Sequence, residues 1–283
     1  MNSKDMKFGL IGHPIAHSLS PALFRAGYDG RFPYDLIETP DFEQAYERFL
    51  REYDGINVTA PFKELALAKA DLVTPECRLV GATNLLRKTP EGITAYNSDY
   101  RGLCQWLAGV VARLSPPLQQ RTAKVLIVGM GGAGKAAAAA AWTMGCSLTL
   151  MNRHIEKAEE MASQLVGEGR EDIEVRPMED FMACFQEADI IIYNLPVRLP
   201  VLDAIARGGA ADDGMARQFR TRHLLEANYK DPSFDKDLLK IMESRYPGLQ
   251  YAEGRTWLLL QAVTGYELFT GEKPDLSRMS AQI

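Results

Sequence analysis

The chain has 283 residues with a formal net charge of −5, and 46% of its residues are hydrophobic and 24% charged. These proportions are ordinary for a globular protein, and the length predicts two domains. Basic residues form no block, and no apolar segment reaches the ~20 residues that span a bilayer, so we expect a cytoplasmic protein that binds neither nucleic acid nor membrane.

In the first hundred residues, apolar runs alternate with helical patterns, as in a parallel α/β layer. The predicted strands are 7–12, 34–38, 55–58 and 82–87, with a turn at 90–92 and an extended piece to residue 96. The predicted helices are 21–28, 42–53 and one that Pro61 opens. An amphipathic helix at 99–114 is predicted to connect this unit to the next.

The second half of the chain repeats the alternation of strand and helix and predicts a doubly wound sheet. The predicted strands are 124–129, 147–151, 172–176, 189–193 and 223–227. The predicted helices are 132–144, 155–166, a short one before 189, 234–245 and 256–270, with a loop at 208–214.

A strand that runs directly into a glycine loop and an alanine-rich helix, Lys124–Gly134, is the most informative motif. Gly129-x-Gly131-x-x-Gly134 lets backbone N–H groups approach a dinucleotide pyrophosphate at a helix N-terminus. The same residues fit most of a nucleoside-triphosphate P-loop, but Ala136 stands where that loop needs a hydroxyl ligand for Mg²⁺. A dinucleotide site is therefore favoured over a triphosphatase.

The end of the next strand favours NADP as the cofactor. NAD enzymes place an acidic residue there to bind the ribose diol, whereas this chain has Asn152 and Arg153. A guanidinium can pair with a 2′-phosphate in a bidentate manner, so NADP is favoured over NAD. Glu156 is near enough in sequence to keep NAD open.

A hydride-transfer enzyme also needs a proton donor, and Lys63 is the best candidate. No Tyr-x-x-x-Lys motif occurs, the histidines have no carboxylate partner nearby in sequence, and the four cysteines are too widely spaced to predict a metal site. Lys63 starts a helix after a strand, where its charge opposes the helix dipole, so a purely structural role there would be mildly unfavourable. Asp99 starts another helix; on local grounds it suits a helix cap, but beside Lys63 it would form an acid–base pair.

Motifs spread in order along the chain resemble those of one family, the shikimate dehydrogenases, which include quinate/shikimate relatives. The motifs are Gly12-His-Pro-Ile-Ala-His-Ser18-Leu-Ser20-Pro21, Asn57-Val-Thr59-Ala-Pro-Phe-Lys63, Gly81-Ala-Thr-Asn84, Asn97-Ser-Asp99-Tyr-Arg-Gly102, Asn152-Arg153, Asn228-Tyr229, and Gly254 with Gln261.

This resemblance implies reversible, NADP-linked reduction of 3-dehydroshikimate to shikimate, a step in the biosynthesis of chorismate and aromatic amino acids. Lys63 would be the acid/base, with Asp99 as its partner and as an acceptor for ring hydroxyls. The other substrate-binding residues would be Ser18, Ser20 and Tyr229 at the carboxylate and Thr59, Asn84 and Gln261 at hydroxyl groups. A small polyhydroxylated ring independently requires such neutral donors and acceptors.

The resemblance also implies a two-domain α/β fold in which the C-terminal helix returns to the first domain. Residues 1–98 plus 255–283 would form the substrate-binding domain, and 99–254 a Rossmann-like NADP-binding domain. The implied cofactor contacts are Gly129, Met130, Gly131, Gly132, Ala133, Asn152, Arg153, Ala227 and Gly254.

The chain departs from the family pattern mainly near the cofactor. His154 replaces a common Thr, Leu195-Pro196 replaces Ala-Thr, Trp257 stands where a Met is usual, and Ala227 is smaller than the usual contact. These changes keep two alternatives open: a paralogue that oxidises quinate or a related hydroxy acid, and a catalytically weak nucleotide-binding regulatory protein. The partners expected are a small-molecule substrate and, in a homodimer, a second copy; a monomer fits equally well.

Overall fold

The computed structural model describes residues 6–114, 122–166, 172–207 and 221–283. The chain divides into two compact units, Met1–Leu103 with Leu258–Ile283, and Cys104–Trp257. Each unit contains one six-stranded sheet with helices. The predicted two-domain α/β class is confirmed, including the return of the C-terminal segment to the first unit.

The elements alternate along most of the chain. The strands are β1 (Phe8–Gly12), β2 (Tyr34–Glu38), β3 (Gly55–Val58), β4 (Leu72–Val73), β5 (Leu85–Thr89), β6 (Gly92–Tyr96), β7 (Lys124–Val128), β8 (Ser147–Met151), β9 (Ile173–Val175), β10 (Ile190–Tyr193), β11 (Arg222–Glu226) and β12 (Leu249–Ala252). The helices are α1 (Ser20–Gly27), α2 (Phe42–Glu52), α3 (Lys63–Ala68), α4 (Pro75–Val80), α5 (Ser98–Val111), α6 (Gly132–Thr143), α7 (Ile155–Val166), α8 (Phe181–Glu187), α9 (Pro200–Ala206), α10 (Lys236–Arg245), α11 (Gly254–Thr270) and α12 (Leu276–Ser280).

The sheet of the first unit has the order β2-β1-β3-β5-β6-β4 and is mixed, so the prediction of a parallel layer is wrong here. Strand β1 pairs in parallel with β2 and β3, whereas β5 is antiparallel to both β3 and β6. The short turn between Thr89 and Gly92 accounts for the β5–β6 pair, because two strands joined by so few residues must run in opposite directions. Gly92 has φ +127°, which suits it to that turn.

Two buried clusters hold the first unit together. One contains Phe49, Ile56 and Leu86, and the other is aromatic, with the ring of Phe8 stacked 4.9 Å from that of Phe269. Strand β1 is buried along its whole length, as expected for an inner strand covered on both faces. This burial fixes the strand ends from which the loops of the site begin.

The sheet of the second unit is parallel throughout and has the order β12-β11-β10-β7-β8-β9. From β7 the chain moves outward through β8 to β9 and then returns to β10 on the other side. This is the strand order of a doubly wound dinucleotide-binding fold, whose ligands bind where the order reverses. The glycine loop follows β7 at that point, as the sequence predicts.

Several details differ from the predicted elements. Pro61 does not open a helix, since the N–H of Phe62 closes a turn onto the carbonyl of Thr59 and α3 begins at Lys63. The strand predicted from residue 82 begins at Leu85, since α4 ends at Val80 and its C-cap Gly81, with φ +70°, turns the chain. Elements β4, α4, α9, β12 and α12 are absent from the prediction. The loop predicted at 208–214 lies outside the described residues.

Candidate active site

Lys63 and Asp99 form an ion pair in the first unit. The Nζ atom of Lys63 donates a hydrogen bond to Oδ2 of Asp99 at 2.6 Å, and 17% and 15% of the two side chains are exposed. Lys63 is the first residue of α3 and Asp99 lies in the first turn of α5. The pair is therefore shielded from bulk water on most sides but still accessible to a small molecule.

The backbone around Lys63 is fixed on both sides. Phe62 is buried and packs 5.4 Å from the ring of Phe42, and its N–H donates to the carbonyl of Thr59. The carbonyl of Lys63 accepts a hydrogen bond from the N–H of Thr83 at 3.1 Å. These contacts direct the ammonium without help from a substrate.

Asn97, not Asp99, caps helix α5. Oδ1 of the fully buried Asn97 accepts a hydrogen bond from the N–H of Tyr100 at 2.9 Å, and its Nδ2 donates to the carbonyl of Ala82. A side chain that accepts from the N–H three residues ahead is the usual N-cap. The capping role that Asp99 suits on local grounds is therefore filled by Asn97, and the carboxylate of Asp99 is directed to Lys63.

Two predicted hydroxyl-binding residues, Asn84 and Gln261, meet at Ser98. The N–H of Ser98 donates to Oδ1 of Asn84 at 2.7 Å, and Nδ2 of Asn84 lies 3.0 Å from Oγ of Ser98. The Ser98 hydroxyl donates to Oε1 of Gln261 at 3.1 Å. The turn before β5, the start of α5 and the middle of α11 thus meet at one serine.

Ser18, Ser20 and Thr59 lie on neighbouring loops. Ser18 donates to Oγ of Ser20 at 3.2 Å, and the carbonyl of Ser20 accepts from the Tyr266 hydroxyl. The N–H of Thr59 donates to the carbonyl of Ile11, and a Cβ on Gly12 would lie 2.4 Å from the Thr59 methyl group. The chain after β3 therefore lies against the end of β1, from which the loop with Ser18 and Ser20 begins.

Tyr229 belongs to the second unit, whereas the other predicted substrate and catalytic residues belong to the first. It is half-buried in the loop after β11, and burial raises the pKa of its hydroxyl. Oδ1 of Asn228 accepts hydrogen bonds from the N–H groups of Lys230 and Asp231, which holds this loop in a turn. The fully buried Glu226 accepts from the N–H of Ser233 and closes the loop at its far end.

The glycine loop after β7 has the shape that a pyrophosphate requires. Gly129 has φ +95°, and a Cβ on Gly134 would lie 1.7 Å from the carbonyl oxygen of Gly129. Only glycine fits at Gly134, because the helix passes directly over the turn. Gly131 has no atom within 4 Å of a Cβ position, and Gly132 and Ala133 form the first turn of α6, whose N–H groups lack helical partners.

Asn152 and Arg153 take different positions after β8. Oδ1 of Asn152 accepts from the N–H of Met130 at 3.0 Å, and its Nδ2 donates to the carbonyl of His154. Asn152 therefore braces the glycine loop. Arg153 is exposed, and no carboxylate of the described ranges pairs with it, so its guanidinium is available to a phosphate.

Two further features of the second unit fit a dinucleotide. Oδ1 of Asn194 is buried, lies beside the glycine loop, and has no hydrogen-bond partner within the part of the chain that the structure describes. A buried acceptor of this kind suits a ligand donor. The predicted contacts Ala227 and Gly254 are adjacent, because a Cβ on Gly254 would lie 2.4 Å from the carbonyl of Ala227.

Sequence reasoning assigns no role to Ser98 or Asn194. Ser98 lies inside one of the quoted motifs, but a serine at a helix start is ordinarily a cap, so its type gives no signal. Asn194 precedes Leu195-Pro196, where the chain departs from the family pattern, and an asparagine at this position does not by itself indicate a ligand contact.

Among the described residues no group of three or more His, Cys, Asp or Glu side chains could hold a metal ion. Nor does any described helix have the length and apolarity to cross a membrane.

Comparison with known proteins gives consistent matches along the chain. Residues 10–86 match the family model of the shikimate dehydrogenase substrate binding domain, and residues 112–207 match that of shikimate / quinate 5-dehydrogenase. Shikimate dehydrogenase (NADP(+)) of Maricaulis maris is 32% identical over 97% of this chain and 94% of its own length.

Solved structures resemble the whole chain as well. The shikimate 5-dehydrogenase of Thermus thermophilus, determined with shikimate, is 27% identical, has a TM-score of 0.73, and is matched over 98% of this chain and 97% of its own. The quinate dehydrogenase of Corynebacterium glutamicum, determined with NAD, shares the fold with a TM-score of 0.80 at 24% identity, over 98% of each chain. From the full-length match at 32% identity, the chain belongs to the shikimate dehydrogenase family.

Proposed function

We propose that this protein catalyses the reversible reduction of 3-dehydroshikimate to shikimate with NADPH. The observation that supports this most directly is the 2.6 Å ion pair between Lys63 and Asp99. The names of the relatives point to the same substrate and cofactor. A proton donor beside neutral polar groups is what reduction of a ketone on a polyhydroxylated ring requires.

Lys63 is the proposed acid in the reducing direction. Its ammonium donates a proton to the carbonyl oxygen of the substrate as that oxygen becomes an alcohol, and the amine recovers a proton from water. In the oxidising direction the neutral amine takes the alcohol proton. Asp99 orients Nζ through their charge-assisted hydrogen bond, and we assign its carboxylate as an acceptor for a ring hydroxyl as well.

The substrate would be held by neutral side chains. We assign Thr59, Asn84 and Gln261 to hydroxyl groups, and Ser18, Ser20 and Tyr229 to the carboxylate. Hydroxyl and amide side chains can both donate and accept, so together they can match a ring that carries several hydroxyl groups. Each match contributes to orientation as well as to affinity.

We assign the cofactor to the second unit. The glycine loop and the first turn of α6, Gly129 to Ala133, would hold the pyrophosphate, and Arg153 would bind the 2′-phosphate. Asn152 would act through the loop that it braces. Ala227, Gly254 and the unpartnered Oδ1 of Asn194 would line the remainder of the site. When bound, NADPH supplies the hydride.

The direct test mixes purified protein with shikimate or quinate and with NADP⁺ or NAD⁺, and follows the absorbance of the reduced cofactor. The proposal expects the highest kcat/KM with shikimate and NADP⁺. Faster turnover of quinate would identify a paralogue, whereas nucleotide binding by calorimetry without any turnover would identify a regulatory protein. Either outcome would overturn the proposal.

We also propose a cytoplasmic protein that acts as a monomer or a homodimer. Cysteines that are widely spaced in sequence suit a reducing compartment. Sedimentation at micromolar concentration would distinguish a 31.5 kDa monomer from a species of twice that mass.

A further inference from the structure

Ser98 connects two side chains that the proposed function assigns to substrate hydroxyls, and the direction of each bond follows from donor and acceptor chemistry. The backbone N–H of Ser98 can only donate, so the Asn84 atom 2.7 Å away must be the amide oxygen. The other amide atom of Asn84 is then Nδ2, which can only donate, and it lies 3.0 Å from the Ser98 hydroxyl. That hydroxyl therefore accepts from Asn84.

Gln261 is oriented by the hydroxyl of Ser98. A hydroxyl has one proton, and the one hydrogen bond that the Ser98 hydroxyl donates among the described residues goes to the amide atom of Gln261 at 3.1 Å. This atom accepts the hydrogen bond, so it is Oε1. The NH₂ group of Gln261 is therefore not used by Ser98. No hydrogen bond among the described residues uses that NH₂ group. The backbone N–H of Ser98 thus fixes the orientation of the Asn84 amide, and its hydroxyl proton fixes that of the Gln261 amide.

Glycines on both helices permit this contact. A Cβ on Gly102 would lie 2.6 Å from the backbone nitrogen of Gln261, so α5 and α11 approach each other closely one turn after Ser98. A Cβ on Gly265 would lie 3.0 Å from the Ser98 hydroxyl oxygen. Ser98 itself is fully buried, which excludes water as a competing partner and raises the penalty for a wrong amide orientation.

We propose that Ser98 is a positioning residue that makes Asn84 and Gln261 hydrogen-bond donors toward the substrate. Both amides then present N–H groups, and the substrate hydroxyls that they contact must accept. The protons of those hydroxyls are left for acceptors such as Asp99. Donor and acceptor roles in the site are therefore set before the substrate arrives. This inference rests on the proposed function for its substrate, but the amide orientation itself does not depend on the substrate.

The first test compares Ser98→Ala with Ser98→Thr in steady-state assays with shikimate and NADP⁺. The alanine variant removes the hydroxyl that accepts from Asn84 and donates to Gln261. KM for shikimate should therefore rise about 5- to 100-fold, with a smaller change in kcat and no change in KM for NADP⁺. Threonine retains the hydroxyl and should restore KM to within about threefold of wild type. An alanine variant with wild-type KM would contradict the proposal, and so would a threonine variant as impaired as alanine.

Gln261→Glu tests the polarity. Glutamate keeps an oxygen for the Ser98 hydroxyl but presents an acceptor where the NH₂ group stands, whereas Gln261→Met presents neither. The glutamate variant should bind shikimate at least as weakly as the methionine variant. Wild-type affinity in the glutamate variant would show that this position accepts, and would overturn the inference.

A further measurement needs no substrate and separates this inference from the proposed function. In ¹⁵N-labelled protein, one side-chain amide proton of Asn84 should be protected from exchange in the wild type and in Ser98→Thr, and lose that protection in Ser98→Ala. Equal protection in all three would contradict the role of Ser98. A wild type that shows the protection but does not turn over shikimate would contradict the proposed function alone.

Discussion

The ammonium of Lys63 and the carboxylate of Asp99 meet at 2.6 Å although the residues are 36 positions apart in sequence and start two different helices. Neither position is explained by its own helix, because a lysine opposes the dipole at a helix start and Asn97 already caps α5. The ion pair between them therefore accounts for a lysine and an aspartate at these two helix starts. It is also the arrangement from which the proposed chemistry follows.

Asp99→Asn should lower kcat for shikimate oxidation. The amide keeps the size of the side chain but removes the charge that orients and stabilises the Lys63 ammonium. Loss of a charge-assisted hydrogen bond is worth about 1.5–3 kcal/mol, or roughly 10- to 150-fold. Steady-state kinetics with NADP⁺ measures the effect, and KM for NADP⁺ serves as the internal control. A kcat equal to wild type would exclude the carboxylate from the reaction.

Gly134→Ala should disrupt the second unit, whereas Gly131→Ala should not. The new methyl group at position 134 would lie 1.7 Å from the Gly129 carbonyl, a backbone atom that cannot move aside without opening the loop. We expect destabilisation of about 3 kcal/mol or more and loss of NADP⁺ binding. At Gly131 nothing lies within 4 Å, so the thermal unfolding temperature should remain near wild type. Thermal unfolding tests both variants and calorimetry tests NADP⁺ binding by Gly134→Ala; equal unfolding temperatures for the two variants would contradict the steric argument.

Arg153→Ala should shift the cofactor preference from NADP toward NAD. The exposed guanidinium is the group we assign to the 2′-phosphate, which NAD lacks. KM for NADP⁺ should rise roughly 10- to 150-fold while KM for NAD⁺ stays the same. Arg153→Lys, which keeps the charge but not the bidentate geometry, should fall between the two. If KM rises equally for NADP⁺ and NAD⁺, another residue binds the 2′-phosphate.

His223 should make the protein less stable in mild acid. Burial in β11, with added repulsion from Arg113, lowers the pKa of the imidazole below its ordinary value of 6.5. The unfolded chain then binds a proton more readily than the folded one. The stabilisation is full above pH 6.5 and is lost as pH falls from there toward the folded pKa, by at most about 1.4 kcal/mol per pH unit.

The comparison for this prediction is His223→Gln, which cannot titrate. Denaturant unfolding at pH 7.5 and pH 5 should give a smaller loss of stability for the variant than for the wild type. Identical losses would mean that His223 does not titrate differently in the folded and unfolded states.

The glycine loop could be predicted from sequence because its constraint is local. Strand, turn and helix follow one another within a few residues, and each glycine is required by atoms close to it in sequence, as the contact of Gly134 with Gly129 shows. The parallel sheet of the second unit follows from the same alternation. Here the pattern of apolar residues and the final structure agree.

Contacts distant in sequence could not be predicted in the same way. The hydroxyl of Ser98 contacts Gln261, which is 163 positions away in sequence, and the type of neither residue predicts the contact. The antiparallel direction of β5 could not be predicted for a related reason. A run of apolar residues indicates that a strand is buried but not whether it pairs in parallel or antiparallel. At Pro61, the residue type that usually starts a helix is instead in a cis peptide bond ahead of Lys63.

The most direct test of the account is the rate of NADPH formation from shikimate by the wild type and by Lys63→Met, with shikimate binding measured in parallel. Methionine fills a similar volume but holds no proton. The account predicts a kcat about 10²- to 10⁴-fold lower in the variant with shikimate affinity changed much less. A variant that turns over shikimate at the wild-type rate would contradict it.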